Sequence, residues 1–204
     1  VRRTMTPLIS VVIPVKNGDN CLKDLLEGLA RQTLYKDCEI IVIDSGSTDK
    51  SLEICEQYNI VVHQIAPASF NHGLTRKLGV ELSRGKYILM TVQDALPQNE
   101  TFLEQMVACF QDEEVAAVCG LQIVPVLPQT NPFEWFRPVS VPEIYYYQFS
   151  DPGTFDRLSP DVKRRVCSWD DVCAMYRRDI LEILPFEKVI FGEDMTWCKS
   201  ALRA

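Results

Sequence analysis

The sequence predicts an α/β fold in which a mostly parallel central sheet is flanked by helices. Short β-branched runs alternate with segments of helical spacing, and turn residues separate the two kinds of segment. The runs are almost continuously apolar, which is typical of parallel strands buried on both faces. The chain has 204 residues, of which 47% are hydrophobic and 24% charged. We therefore expect one domain over residues 1–204, truncated at its C-terminal end inside a helical pattern.

The first elements establish the alternation of strand and helix. Residues 8–14 are a β-branched run that ends at Pro14 and precedes the turn pair Asn17-Gly18, so a buried strand and a loop are predicted. Residues 21–29 place leucines along one helical face. Residues 39–44 repeat the strand pattern.

The same alternation continues through the fourth strand. The turn at residues 45–49 contains residues that cap helices, and it precedes a predicted helix at residues 52–58. Residues 60–65 form the third strand pattern. Helical spacing returns at residues 73–83, and residues 87–92 form the fourth apolar run.

The second half of the chain contains a predicted insertion. Seven prolines punctuate residues 125–165, which also hold the aromatic stretch from Trp135 to Tyr147, so we expect a functional loop or insertion there. The other predicted elements are a helix at residues 101–110, strands at 115–124 and 172–176, and helices at 178–184 and 193–202.

Charge and cysteine usage limit the classes of partner and compartment. The net charge of -7 argues against a nucleic-acid partner, whose phosphates are normally met by a basic face, but it does not exclude small phosphorylated ligands. The eight cysteines form no C-x-x-C pair, which argues against a zinc cluster and favours reduced thiols in the cytoplasm. No apolar run approaches the ~20 residues needed to span a bilayer, so at most peripheral membrane contact is expected.

Acidic residues follow several predicted strands, where open α/β sheets bind their ligands. Asp44 ends the second strand, Asp94 follows the fourth, and Glu193-Asp194 opens the last helix. An acid after the second strand also suits a dinucleotide-binding domain, but none of the nine glycines are spaced as G-x-G. A P-loop is excluded as well, because neither Lys-Ser pair has the glycine frame.

Five sequence blocks resemble family 2 glycosyltransferases of the GT-A fold, and three of them resemble the rhamnosyltransferase-like branch of that family. The blocks, in chain order and together covering nearly the whole chain, are Ile9 to Asn17, Ile41 to Asp49, Phe70 to Arg76, Gln93 to Pro97 and Phe191 to Trp197.

The resemblance implies a nucleoside-diphosphate sugar site at the strand ends. Asp44 is expected to recognise the nucleobase and Asp49 to shape the same pocket, unless both merely cap the following helix. Arg76 is expected near the diphosphate, where a guanidinium fork suits phosphate oxygens, or else as a solvated helix residue. The implied donor-binding residues are Pro14, Asn17, Asp44, Asp49, Arg76, Gln93 and Asp94.

The family's acidic metal motif is reduced here to one acid. The matching positions read Thr91-Val92-Gln93-Asp94, so Asp94 is the expected ligand of a divalent cation, Mg²⁺ or Mn²⁺. One carboxylate with donor phosphate oxygens and waters is an acceptable Mg²⁺ site. The alternative is a turn aspartate at the end of the strand.

Glu193 and Asp194 match the family's catalytic acid pair. Asp194 is expected to act as the general base that takes the proton of the acceptor hydroxyl, so that one displacement inverts the anomeric centre. The alternative is a pair of acids stabilised at a helix N-terminus. Trp197 is a possible acceptor-binding residue or a core residue, and His72 either contacts a substrate or the metal, or holds the turn before its helix.

The resemblance thus implies a metal-dependent inverting glycosyltransferase of bacterial surface polysaccharide synthesis. Its acceptor is expected to be a saccharide or a lipid-linked saccharide, used in the cytoplasm or at the inner face of the membrane. The resemblance alone suggests the donor, with dTDP-L-rhamnose as the first candidate and a UDP-hexose as the second. Two other classes of protein are alternatives to this prediction. A sugar nucleotidyltransferase would need a glycine-rich basic loop after its first strand, which is missing, whereas a non-catalytic nucleotide-sugar or sugar-binding domain remains open because Gln93 replaces an acid.

Overall fold

The structure, a computed structural model, describes residues 6–58, 60–123, 144–149 and 151–204. The strands in these ranges are β1 (Ile9–Val15), β2 (Cys38–Asp44), β3 (Val61–Gln64), β4 (Tyr87–Thr91), β5 (Ala117–Cys119) and β6 (Cys173–Arg177). They form one sheet in the order β3-β2-β1-β4-β6-β5. The α/β fold with a mostly parallel sheet, which the alternating pattern predicted, is confirmed.

Four strands run parallel and bring their carboxyl ends to one edge of the sheet. β1 pairs in parallel with both β2 and β4, and β2 pairs in parallel with β3. In the β1–β2 register Val15 lies opposite Asp44, so the two strands end side by side. The loops that follow β1, β2 and β4 therefore start next to one another.

The remaining two strands reverse direction, with a consequence for the site. β6 pairs antiparallel with β4, and Cys173 lies opposite Thr91. The start of β6 therefore lies at the edge where the parallel strands end. β5 pairs antiparallel with β6 and is shorter than the strand predicted at residues 115–124, of which residue 124 lies outside the described residues.

Helices cover both faces of this sheet. In the described ranges they are α1 (Leu22–Ala30), α2 (Ser51–Gln57), α3 (His72–Leu82), α4 (Phe102–Ala108), α5 (Pro152–Arg157), α6 (Pro160–Val166), α7 (Arg178–Ile183) and α8 (Glu193–Ala201). Two buried clusters result because successive side chains of a strand point to opposite faces. Ile13 belongs to one cluster with Leu26, whereas Val12 belongs to the other with Trp197.

The segment predicted to be an irregular insertion is partly helical. Pro152 and Pro160, which read as chain breakers in the sequence, each stand at the first position of a helix, where a missing N–H costs no hydrogen bond. Ser159 caps α6 by accepting a hydrogen bond from the amide of Val162. The aromatic stretch begins at Trp135, outside the described residues, and its last three tyrosines, residues 145–147, are exposed.

Two further expectations concern thiols and membranes. All eight cysteines are free thiols, and burial raises the pKa of Cys119 to about 12, which keeps that thiol protonated. Across the described ranges, every helix is too short or too polar to cross a bilayer.

Candidate functional site

Hydrogen bonds join the loops that follow β1 and β2. The amide of Asn17 donates to Ser47 Oγ over 2.8 Å, and the amide of Thr48 donates to Asn17 Oδ1 over 2.8 Å. Asn17 has a φ of 51°, a left-handed conformation that asparagine tolerates better than most residues. We call residues 16–19, 45–51 and 92–94 the loop cluster. Asn17, predicted to bind the donor, thus shapes the loop cluster through its backbone and its amide oxygen.

Asp49 and Ser51 join the same two loops from the start of α2. Asp49 Oδ2 accepts from the amide of Asp19 over 2.9 Å, and Asp49 Oδ1 accepts from the amide of Ser51 over 3.0 Å. Desolvation raises the pKa of Asp49, but the hydrogen bonds from Ser51 and Asp19 outweigh it and hold the pKa below its usual range. The N-cap position of α2 is Lys50, with no side-chain cap, so the capping alternative for Asp49 is wrong and its carboxylate instead ties the two loops together.

Asp44 is fully buried and holds its own turn. Its carboxylate accepts from the amide of Gly46 over 3.0 Å and from the amide of Ser47 over 3.2 Å. The alternative that Asp44 caps the following helix is wrong, because α2 begins only at Ser51. A role in nucleobase recognition stays a prediction, and in this arrangement the carboxylate is already engaged by two amides. Pro14, the other predicted donor residue of this region, is half-buried in β1.

Gln93 connects the end of β4 to the loop after β1. Its Oε1 accepts from the amide of Lys16 over 2.9 Å, and its Nε2 donates to the carbonyl of Lys16 over 3.2 Å. A two-point contact of this kind fixes the side-chain amide against a backbone unit. Gln93 is therefore a structural tie within the loop cluster, whatever contact it makes with a donor.

Asp94 has an exposed carboxylate at the same edge of the sheet. Among the described residues, no group of three His, Cys, Asp or Glu side chains could hold a metal ion. A cage made only of protein ligands is thus absent from this part of the chain. A single exposed carboxylate does fit a hydrated divalent cation that takes its other ligands from a diphosphate and from water.

A second group of charged residues lies beside the first. We call Arg76, Asp171, Tyr176, Glu193 and Asp194 the Arg76 cluster. Arg76 Nη1 lies 2.5 Å from Glu193 Oε1, and Arg76 Nε lies 2.7 Å from Asp171 Oδ2, in ion-pair contact without hydrogen-bond alignment. The hydroxyl of Tyr176 donates to Asp171 Oδ1. One guanidinium therefore faces two buried carboxylates.

Burial sets the protonation of Asp171, which is 0% exposed. Desolvation raises the pKa of Asp171 to about 7, although the positive charge of Arg76 and the Tyr176 hydrogen bond oppose this shift. The negative charges of Asp194 and Glu193 add to the rise. The same burial, together with Asp171, raises the pKa of Tyr176 well above its usual range, so its hydroxyl remains a donor.

The predicted acid pair separates into one buried and one accessible carboxylate. Glu193 is 6% exposed and engaged by Arg76, whereas Asp194 is half-buried. Asp194 Oδ1 accepts from the amide of Met195 over 2.7 Å, and Asp194 Oδ2 accepts from the amide of Asp171 over 3.4 Å. The Asp194 carboxylate is therefore the more accessible of the two, and the Glu193 carboxylate is paired with Arg76.

Arg76 and Trp197, two further predicted residues, are both buried. Arg76 is 4% exposed, so the alternative of a solvated helix residue is wrong, and its guanidinium serves carboxylates of its own chain. Trp197 is 4% exposed and packs edge-to-face on Tyr176 at 4.6 Å, which leaves no open ring face for a sugar. The core alternative for Trp197 therefore describes the structure.

His72 is exposed at the start of α3. Its Nδ1 lies 4.0 Å from Glu193 Oε1, and its ring meets Phe70 edge-on at 4.9 Å. The turn that precedes the helix is held by Asn71, which accepts from the amide of Leu74 over 3.1 Å. The alternative that His72 itself holds this turn is therefore wrong, and its ring is accessible to a substrate.

Sequence reasoning missed Asp171, the most buried acid of the Arg76 cluster. The acids predicted from sequence follow strands or open the last helix, whereas Asp171 precedes a strand. Because β6 is antiparallel to β4, its beginning lies at the ligand edge of the sheet. The available signal was the pair of adjacent acids, Asp170 and Asp171, before an apolar run. This signal indicates a site residue only when the strand that follows is known to be antiparallel.

A cavity of about 470 Å³ lies between α6 and α8, and neither acid of the Glu193-Asp194 pair lines it. Three cationic side chains, Lys163, Arg164 and Lys199, line it, and none of its lining residues is acidic. Phe191 lines it too and is 82% exposed. In a chain with a net charge of -7, this is a locally basic and aromatic surface next to Gly192 and the start of α8.

Comparisons with known proteins place the chain in one family. The sequence profile described as glycosyl transferase family 2 matches residues 10–184. The O-antigen chain rhamnosyltransferase RfbN of Salmonella typhimurium is 29% identical over 203 residues, which cover 96% of this chain and 61% of RfbN. The chain thus spans about three fifths of that relative's length.

Solved structures show the same fold. The crystal structure of S. aureus TarS in complex with UDP-GlcNAc has a TM-score of 0.67 and 23% identity, covering 93% of this chain and 52% of the TarS chain. The mannosyltransferase PcManGT of Pyrobaculum calidifontis in complex with GDP-Man and Mn²⁺ has a TM-score of 0.63 and 18% identity, covering 95% of this chain and 51% of the other. The predicted GT-A fold is confirmed.

Proposed function

The chain belongs to glycosyl transferase family 2, and from this premise we propose that it transfers a sugar from a nucleoside-diphosphate donor to a saccharide acceptor with inversion. The observation that carries the proposal is the half-buried Asp194 carboxylate, oriented by two amides at the edge where β1, β2 and β4 end. A carboxylate so placed is suited to remove a proton from an acceptor hydroxyl.

The chemistry is a single displacement. The acceptor oxygen forms a bond to the anomeric carbon while the bond from that carbon to the diphosphate oxygen breaks, and the acceptor proton passes to Asp194. The nucleoside diphosphate leaves with the bonding electrons. No covalent sugar–enzyme intermediate is needed, so the anomeric configuration inverts.

The loop cluster is proposed to bind the nucleotide. Asn17 and Gln93 hold the loop after β1 against its two neighbours, so the backbone of that loop is preorganised before a donor arrives. Preorganisation reduces the entropy lost on binding. The exposed faces of this cluster, with Asp44 and Asp49 beneath and beside them, are the proposed nucleoside site.

Asp94 is proposed to hold a divalent cation together with the donor diphosphate. Such an ion neutralises charge on the departing diphosphate. The exposed position of Asp94 supports this role, and PcManGT, which shares the fold, is a complex with Mn²⁺. Glu193 and Arg76 are both buried, so we propose that they support the site from the protein interior.

We propose the donor and the acceptor from the proteins that this chain resembles. Rhamnose from dTDP-L-rhamnose is the first candidate because RfbN is a rhamnosyltransferase, and a UDP-hexose is the second because TarS binds UDP-GlcNAc. The proposed acceptor is a saccharide or lipid-linked saccharide of a surface polysaccharide, used on the cytoplasmic side with at most peripheral membrane contact. The basic and aromatic cavity beside α8, with Phe191 and Lys199, suits such an acceptor.

The decisive experiment is calorimetric binding of dTDP and UDP, each with Mg²⁺, Mn²⁺ or EDTA. We expect metal-dependent binding by the wild type and loss of the metal dependence in Asp94→Ala. Asp161→Ala, which removes an exposed acid on α6, is the matched control and is expected to bind normally.

Turnover then separates an enzyme from a binding domain. Release of free sugar or transfer to an acceptor, with donor present in excess, is expected for the wild type. Binding without any turnover would favour the non-catalytic nucleotide-sugar domain. A folded protein that binds neither nucleotide under any of these conditions would contradict the proposed function.

A further inference from the structure

We propose that Asp171 is a positioning residue that holds both members of the Glu193-Asp194 pair in place for sugar transfer. The inference rests on the proposed function, since it takes Asp194 as the general base. It concerns a residue that touches neither substrate in that mechanism and acts through the two acids. The Asp171 side chain connects to Glu193 through Arg76, and the Asp171 backbone amide donates to Asp194.

The first connection runs through the side chain. Asp171 Oδ2 lies 2.7 Å from Arg76 Nε, and Arg76 Nη1 lies 2.5 Å from Glu193 Oε1. A guanidinium is a rigid planar fork, so fixing its Nε side also fixes the direction of its Nη groups. The three side chains are between 0% and 7% exposed, so water cannot replace these contacts. The ion pair with Asp171 therefore helps to fix the guanidinium that pairs with Glu193.

The second connection runs through the backbone. The amide of Asp171 donates to Asp194 Oδ2 over 3.4 Å, while the amide of Met195 donates to Asp194 Oδ1 over 2.7 Å. The first bond is long, so it contributes orientation more than energy. With both oxygens directed by amides, the plane of the Asp194 carboxylate is set. One of these two amides belongs to Asp171, the residue that also anchors Glu193 through Arg76.

Asp171 is itself anchored to the central sheet. The hydroxyl of Tyr176, a fully buried residue of β6, donates to Asp171 Oδ1. That hydroxyl also accepts from Trp169 Nε1 over 2.7 Å, and the Tyr176 ring packs edge-to-face on Trp197 of α8. The central sheet therefore fixes the position of Asp171, and the contacts of Asp171 in turn fix the start of α8.

The charges of the cluster make the arrangement sensitive to pH. The Arg76 guanidinium pairs with the carboxylates of Asp171 and Glu193, and the Asp194 carboxylate accepts from the Asp171 amide. Burial raises the pKa of Asp171 to about 7. A proton on Asp171 weakens its hold on Arg76, and a negative charge there favours the protonated product state of Asp194. The groups that face Asp171 are Arg76 of α3, Tyr176 of β6, Glu193 and Asp194 of α8, and Cys119 of β5.

The test is Asp171→Asn, which keeps the shape and the backbone amide but removes the charge. We expect kcat to fall by about 10- to 100-fold, while KM for the donor and the nucleotide Kd change by less than about 2-fold. The wild-type rate should rise as pH passes about 7, the pKa of Asp171, and the variant should lack this inflection. Asp179→Asn, which breaks the exposed ion pair with Arg177, is the matched control and should change neither quantity.

A second variant covers the case in which Asp171→Asn does not fold. Tyr176→Phe removes only the hydroxyl that anchors Asp171, and it should lower kcat in the same direction by a smaller factor. Folded variants whose kcat and pH profile match the wild type would overturn the inference while leaving the proposed function intact.

Hydrogen exchange decides the inference independently of turnover. The amides of Met195 and Thr196 donate to Asp194 Oδ1 and to the Gly192 carbonyl. We expect these two amides to exchange at least about 10-fold faster in the folded variant than in the wild type, with α7 unchanged. Equal exchange at these amides would overturn the inference. A wild type that turns over no donor would instead contradict the proposed function, and the exchange rates would still show whether Asp171 orders the acid pair.

Discussion

The guanidinium of Arg76 joins α3 to α8, with its Nη1 2.5 Å from Glu193 Oε1. Arg76 is 4% exposed and Glu193 is 6% exposed, so the pair is shielded from water. The contact spans 117 positions of the sequence. It ties the start of the helix that carries the acid pair to a helix packed on the parallel strands.

Removing Arg76 should destabilise the fold strongly. Arg76→Met leaves two buried carboxylates without their cation, and breaking a buried pair from one side typically costs about 3 to 5 kcal/mol. Glu193→Gln should cost less, because Asp171 still balances Arg76. Urea unfolding of both single variants and the double variant measures the coupling. Additive effects in the double variant would contradict a direct interaction between the two residues.

Neutralising Asp194 should impair chemistry and spare binding. Asp194→Asn keeps the size of the side chain but cannot accept the acceptor proton, so kcat is expected to fall by about 100- to 10,000-fold. The nucleotide Kd should stay within about 2-fold, because the loop cluster is unchanged. Steady-state kinetics and calorimetry on the same preparation measure both. A comparable loss of nucleotide affinity would assign Asp194 to the donor site instead.

Stability should fall as pH rises through the range in which Asp171 ionises in the unfolded chain but not in the folded one. The pKa of Asp171 is 3.8 as its ordinary value and about 7 in the fold, so between these values the folded state binds more protons. The free energy of unfolding therefore decreases from about pH 4 to about pH 7, by at most about 4 kcal/mol from this group.

Asp171→Asn should lack this pH dependence. The measurement is urea unfolding of wild type and variant at pH 5 and pH 8, with the difference between the two proteins compared across pH. All other titrating groups cancel in that comparison to first order. Parallel stability curves for the two proteins would show that Asp171 ionises normally in the fold.

Gly73 should not tolerate a side chain. A Cβ at this position in α3 would lie 1.9 Å from the backbone carbonyl oxygen of Glu187 and 3.5 Å from Glu193 Cβ. Backbone cannot rotate away as a side chain can, so Gly73→Ala is expected to cost about 3 kcal/mol or more.

Gly153→Ala is the control for the Gly73 variant. Its added methyl group would approach only side-chain atoms of Arg157 and Asp151, and the effect should stay within about 0.5 kcal/mol. Thermal melts followed by circular dichroism measure both variants. Equal melting temperatures for the two would contradict the close approach of the segment around Glu187 to α3.

The strands and helices were largely readable from local pattern, and the errors have identifiable causes. Continuous apolar runs predicted β1, β2 and β4 because these strands are covered on both faces. The helices α5 and α6 were missed because their prolines look like breakers in a sequence, whereas at a first helical position they are compatible with the helix.

Only part of the candidate site could be predicted from the sequence. Asp94 and Asp194 were found from their places in motifs, and both are accessible. In the sequence Glu193 and Asp194 look equivalent, but Glu193 is buried against Arg76 and its role therefore differs. Trp197 could not be assigned from sequence, because an aromatic residue one turn into a helix faces either solvent or core depending on how that helix docks.

By itself, the sequence determined the α/β class, the family and the identity of the acids that follow the strands, since these depend on local periodicity and on residue types at fixed spacing. Only the tertiary structure decided which of those acids are buried and which partners they meet. Strand direction is not encoded locally, and the reversal of β6 brings Asp171 beneath the acid pair. Burial then acts on charge, because removing a carboxylate from water changes its protonation and its need for a partner.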